Sequence, residues 1–145
     1  MPREILGRRM SQENVEIVRR GYAMYESGDV QGAARLFSEE AELADTGGLG
    51  IAGTAAGTRY GPEGFLRANQ EVLEAFDDYR VEAEEFIDAG DAVVVLVRIS
   101  GRGKASAASL EMRLAHLWTL RNGEVIRGEV YRSRGEAIQA AGLQA

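Results

Sequence analysis

The chain has 145 residues, a formal net charge of −6, no cysteine and a single histidine, His116. This length fits one domain, and 45% apolar residues allow a core without disulfides or metals. The lack of cysteine excludes thiol nucleophiles, thiolate metal sites and disulfides, the lone histidine excludes a multi-histidine site, and the acidic balance disfavours nucleic acid.

The N-terminal MPREILGRRM has basic residues without the hydrophobic stretch of a signal peptide. Residues 1–10 are expected to be a loose extension and 11–145 one domain, without internal repeat or linker. Ser11 is a candidate N-cap, and Val15, Val18, Tyr22 and Tyr25 form one apolar stripe down a helix. Gly28 stops that helix, and Asp29 caps a short one through Ala33, Ala34, Leu36 and Phe37. Residues 41–45 alternate and predict a short strand. Residues 46–61 are glycine-rich and aperiodic, the pattern of a functional or mobile loop. Pro62 suits the first turn of a third helix, with Phe65, Asn69, Val72, Leu73 and Phe76 on one face.

From Tyr79 the apolar period becomes two, and residues 79–88, 91–102, 109–121 and 124–132 predict four strands. Ala89-Gly90 and Asn122-Gly123 are hairpin turns, so the strands form an antiparallel meander. Ser133 and Glu136 form a capping box opening a closing helix that ends near Gly142. No apolar run approaches the roughly 18 residues of a membrane span. The expectation is a cytoplasmic protein with no membrane or nucleic-acid partner.

Three stretches carry a resemblance: ENVEIVRRGYAMYESGDVQGAARLFSEEAEL, EEFIDAGDAVVVLVRISGRG and LAHLWTLRNGEVIRGEVYRSRGEAIQAAGL. With the element order, they resemble the SnoaL-like branch of the nuclear transport factor two-like superfamily across residues 11–143. The resemblance implies an α+β cone (cystatin-like or SnoaL-like) in which a curved antiparallel sheet wraps around N-terminal helices and a central pocket. It implies no cofactor and no metal, and frequent dimerisation through the sheet. Its members include isomerases, cyclases, dehydratases and non-catalytic binding domains, and fold alone does not choose among them.

Asp45 falls where ketosteroid isomerases of this fold carry their proton-shuttling aspartate, and a desolvated carboxylate at a pocket mouth suits a general base. The isomerase tyrosine aligns with Gly21, one residue before Tyr22, and its protonated aspartate with Ala115. The same alignment turns the Ala115 face of the predicted strand 109–121 inward. Leu96, Arg98, Arg113 and Ala115 would then line the pocket, with Arg98 and Arg113 as anchors for an anionic or carbonyl-bearing ligand or, alternatively, as rungs of a Glu–Arg ladder. Tyr22, Tyr60, Glu129 and Tyr131 are further candidate ligand contacts. On this assignment His116 and Trp118 lie on the opposite, apolar face, which a twofold partner would cover. With the faces exchanged, His116 becomes a candidate catalytic base.

Gly48-Leu49-Gly50-Ile51-Ala52-Gly53 matches G-x-G-x-x-G, but a dinucleotide site needs that motif to open a helix in a parallel βαβ unit. A lid is the better expectation for this segment. The expected function is therefore binding of a small apolar or carbonyl-bearing molecule, with cofactor-free isomerisation, cyclisation or dehydration as the catalytic form. The alternative is a non-catalytic dimeric interaction module.

Overall fold

The computed structural model describes residues 3–44 and 57–143, with side chains from Ser11 onward. Four helices and six strands follow in the order α1 (Arg3–Glu26), α2 (Val30–Ala34), β1 (Phe37–Leu43), β2 (Arg59–Tyr60), α3 (Gly61–Ala75), β3 (Phe76–Ala89), β4 (Ala92–Gly103), β5 (Ser109–Arg121), β6 (Glu124–Tyr131) and α4 (Arg134–Ala140). Helix α1 begins at Arg3, so the backbone of 3–10 continues the helix where a loose extension was expected, and Ser11 lies inside it.

The local signals act as the sequence predicts. Asp29 accepts from the Gly32 amide to cap α2, Ser133 accepts from Glu136 to cap α4, and Pro62 occupies the first turn of α3. Asn122 and Gly123 both take positive φ, 53° and 78°, as a tight two-residue hairpin turn requires.

The strands form one open sheet in the order β2-β1-β6-β5-β4-β3. The β3–β6 meander is antiparallel, but β1 runs parallel to β6, so the sheet is mixed. Strand β3 shifts register between Asp77 and Arg80 and again between Ala83 and Glu85. Such bulges bend and twist a strand, which curves this edge of the sheet. The second one also resets the alternation, so Val81, Ala83 and Phe86 all pack with the main core.

One face of the sheet carries Phe37, Ala41, Leu43, Val93, Val95, Val97, Ile99, Leu114, Trp118 and Val130, packed with Val18 of α1 and with Phe65 of α3. Val93, Val95 and Val97 are fully buried there, each worth about 1.5–3 kcal/mol relative to exposure. On the other face Ala92, Val94, Ala115 and Leu117 form a smaller cluster with Ala137 of α4. No helix among the described residues is long and apolar enough to cross a membrane.

Candidate functional site

A cavity of about 90 Å³ lies between the helices and the sheet. Helix α1 brings in Tyr22 and Tyr25, three residues apart and so on one face. Helix α3 adds Phe65 and Asn69 by the same logic at four. Strand β5 contributes His116 and Trp118, two residues apart and so pointing the same way, and β3 contributes Tyr79 and Val81. The remaining wall is mostly aliphatic or aromatic, from Val18, Ala33, Leu36, Phe37 and Val125 among others. At a bulk share of about 30 Å³ each, this space holds roughly three waters, or one small organic molecule.

The polar groups inside this wall are few and connected. Trp118 Nε1 donates to Tyr22 Oη at 2.7 Å, and Tyr22 Oη lies 2.6 Å from His116 Nδ1. Tyr22 also meets the Phe86 ring edge-on, with centroids 5.8 Å apart, which fixes the phenol. Tyr25 Oη donates to Asn69 Oδ1. Three buried side-chain atoms have no partner among the described residues: Tyr79 Oη, His116 Nε2 and Arg98 Nε. The first two belong to residues that line the cavity.

Burial sets the protonation states. His116 is only 3% exposed, and desolvation holds its imidazole down at about 4, so the ring is neutral at pH 7. Desolvation pushes the Tyr25 hydroxyl up to about 12 and those of Tyr22 and Tyr79 further. The Trp118 hydrogen bond opposes this for Tyr22 without cancelling it. The phenols stay protonated, and the cavity is hostile to negative charge.

Of the residues the sequence nominated, the structure brings Tyr22 and His116 together. Asp45 and the G-x-G-x-x-G segment lie outside the described residues. Tyr60 is 58% exposed and is not part of the cavity wall. Leu96, Arg98, Arg113, Ala115, Glu129 and Tyr131 lie on the opposite face of the sheet, so the expected inward direction of that face is corrected. The physical reason is that helices α1 and α3 cover the more apolar side of β5, which carries Leu114, His116 and Trp118. That stripe is sealed by the chain's own helices, which removes the need for a partner there.

The opposite face carries the Glu–Arg ladder. Arg98 reaches Glu82 and Glu111 at 3.7 Å each, and Arg113 reaches Glu84 at 3.0 Å. Arg127 bridges Glu42 and Glu129, and Tyr131 Oη donates to Glu129. Burial, then the Glu129 carboxylate, pushes the Tyr131 hydroxyl up to about 12. Ala115 is buried in the small α4 cluster. Gly21, aligned with the isomerase tyrosine, does line the cavity, but a Cβ there would meet Leu36 Cδ1 at 2.9 Å. The phenol enters one residue later, from Tyr22.

Sequence reasoning missed Tyr25, Asn69, Tyr79 and Trp118 as site residues. The signal for Trp118 was its place two residues from His116, and that for Tyr25 was its place in the α1 stripe.

Residues 18–128 match the SnoaL-like domain family. This chain belongs to it. Solved structures agree on the fold. A nuclear transport factor two-like protein from Burkholderia thailandensis aligns with TM-score 0.75 at 24% identity, covering 89% of this chain and 96% of that one. TerC, co-crystallised with polyporic acid, aligns with TM-score 0.71 at 24% identity over 90% and 98%. A protein of ketosteroid isomerase-like fold from Catenulispora acidiphila, in complex with trimethylamine, aligns with TM-score 0.68 at 20% identity over 88% and 93%. No curated protein matches the chain. These likenesses support a SnoaL-like cone, and the contents of the cavity are this chain's own.

Proposed function

We propose that this SnoaL-like domain binds a small, largely apolar molecule in the cavity beneath α1 and α3. The observation that carries this reading is the pair of unpartnered buried atoms, Tyr79 Oη and His116 Nε2, on residues lining an otherwise apolar wall. Leaving such a group without a partner costs about 1–3 kcal/mol. A ligand with one polar atom among apolar ones would supply the missing partner and pack against the aromatic wall. Relatives of the same fold co-crystallised with polyporic acid or held with trimethylamine are consistent with small-molecule binding.

Trp118 is the chain's only tryptophan and lines the cavity, so its fluorescence reports occupancy directly. Titration with a library of small ring compounds should give saturable quenching that Tyr79→Phe weakens. A library that never perturbs Trp118 would remove the binding reading.

Catalysis, on this reading, is cofactor-independent proton transfer on a carbonyl compound: isomerisation, cyclisation or dehydration. Asp45 is the base, and neutral His116 polarises the carbonyl rather than taking the proton, because its depressed basicity suits a donor. Asp45→Asn should abolish turnover of any substrate found while leaving Trp118 quenching intact. Unchanged turnover would take Asp45 out of the mechanism.

A further inference from the structure

We propose that the cavity selects an uncharged ring compound whose carbonyl oxygen accepts a hydrogen bond from the Nε2–H of His116. The proposal rests on the binding reading above and narrows it to one chemical class.

An indole N–H donates and never accepts. Tyr22 Oη, 2.7 Å from Trp118 Nε1, must therefore be the acceptor of that bond. The same oxygen lies 2.6 Å from His116 Nδ1, and two arrangements are open. If Nδ1 accepts, the Tyr22 proton is used, and the Nε2–H is the one group left over. If Nδ1 carries the proton, Tyr22 accepts twice, and both its own proton and the Nε2 lone pair are left over. Stranded buried groups are costly, so the arrangement with fewer of them prevails. The chain Trp118–Tyr22–His116 therefore runs in one direction and ends on a donor. Burial keeps the ring neutral, so one of its two nitrogens carries the proton and the other does not.

A terminal donor calls for an acceptor atom on the ligand. The described wall holds no Lys, Arg, Asp or Glu. A carboxylate would find donors there but no countercharge to repay its lost hydration. An ammonium would find aromatic faces, yet its N–H groups would confront another N–H. A carbonyl oxygen meets neither objection. The cavity of about 90 Å³ favours a single small ring.

Three probes of one shape separate these cases: cyclopentanone, cyclopentanecarboxylate and cyclopentylammonium at pH 7, read by Trp118 fluorescence. The ketone should bind about tenfold tighter or better than either ion. Either ion binding as tightly as the ketone overturns the carbonyl proposal while the binding reading stands. Silence from all three overturns the carbonyl proposal, and the library titration then decides the binding reading. A second measurement needs no variant. With one histidine in the chain, a long-range ¹H–¹⁵N spectrum of ¹⁵N-histidine protein reads the tautomer without ambiguity. An Nε2–H tautomer whose proton resonance moves on adding cyclopentanone is the expected result. An Nδ1–H tautomer overturns the proposal.

Discussion

The two faces of the sheet are built from the same strands and solve opposite problems. On the helix-covered face, the polar contacts are a short relay, Trp118 to Tyr22 to His116, enclosed by aromatic and aliphatic walls. On the outer face, Arg98, Arg113 and Arg127 are braced by acidic side chains at 2.5–3.7 Å. The outer face has more charge and more pairs. Its members are substantially exposed, however, and solvent screens such pairs until little net energy remains. Inside, each neutral hydrogen bond replaces water that cannot return, so removing one partner strands the other. Few buried contacts should therefore govern this molecule more than many exposed ones.

The largest effect should come from Tyr22→Phe. It leaves the Trp118 N–H and His116 Nδ1 buried without a partner, and urea unfolding should show a loss of about 2–5 kcal/mol. A loss under about 0.5 kcal/mol would mean that the relay is no more valuable than a surface pair.

The next effect is a pH dependence. His116 sits at about 4 in the folded state, below its ordinary 6.5. The unfolded chain thus binds the proton first as pH falls. The contribution is fully present above about pH 6.5 and is lost between 6.5 and 4, a loss on the order of 3 kcal/mol. The difference in unfolding free energy between wild type and His116→Gln should carry this slope. A flat difference across that window would contradict the burial of a neutral imidazole.

A smaller loss is expected from Gly128→Ala. Gly128 packs under the Trp118 ring, and a Cβ there would collide with that ring and meet Leu43 Cδ2 at 3.1 Å. Overpacking of this kind costs about 1–3 kcal/mol, and the displaced indole should shift its emission maximum. Unaltered emission would show that Trp118 yields without leaving its place. The smallest effect should be Arg113→Ala on the outer face: no measurable change in ligand affinity or in Tm. A clear loss of affinity would move the site to the other side of the sheet.

The contrast between faces also marks what the sequence made legible. Turns and caps at Asn122-Gly123, Asp29 and Ser133 were readable because their chemistry is local. The apolar alternation of β5 was readable too, but alternation defines two faces without saying which one the helices cover. The continuous stripe Leu110, Met112, Leu114, His116, Trp118, Leu120, against Glu111 and Arg113 on the other side, held that answer; the family alignment pointed the other way. The parallel β1–β6 pairing and two-residue β2 depend on long-range contacts that no local pattern encodes. The α1 start at Arg3 was hidden because Ser11 supplied a plausible cap to stop at. Tyr79 and Asn69 enter the site only when β3 and α3 are brought against α1.

The most direct test is a crystal structure of the protein soaked with the tightest-binding ring compound from the Trp118 titration. The ligand should lie beneath α1 and α3, with its oxygen within hydrogen-bond distance of His116 Nε2. A ligand seated on the outer face among Arg98, Glu111 and Arg113, with the inner cavity unchanged, would contradict it.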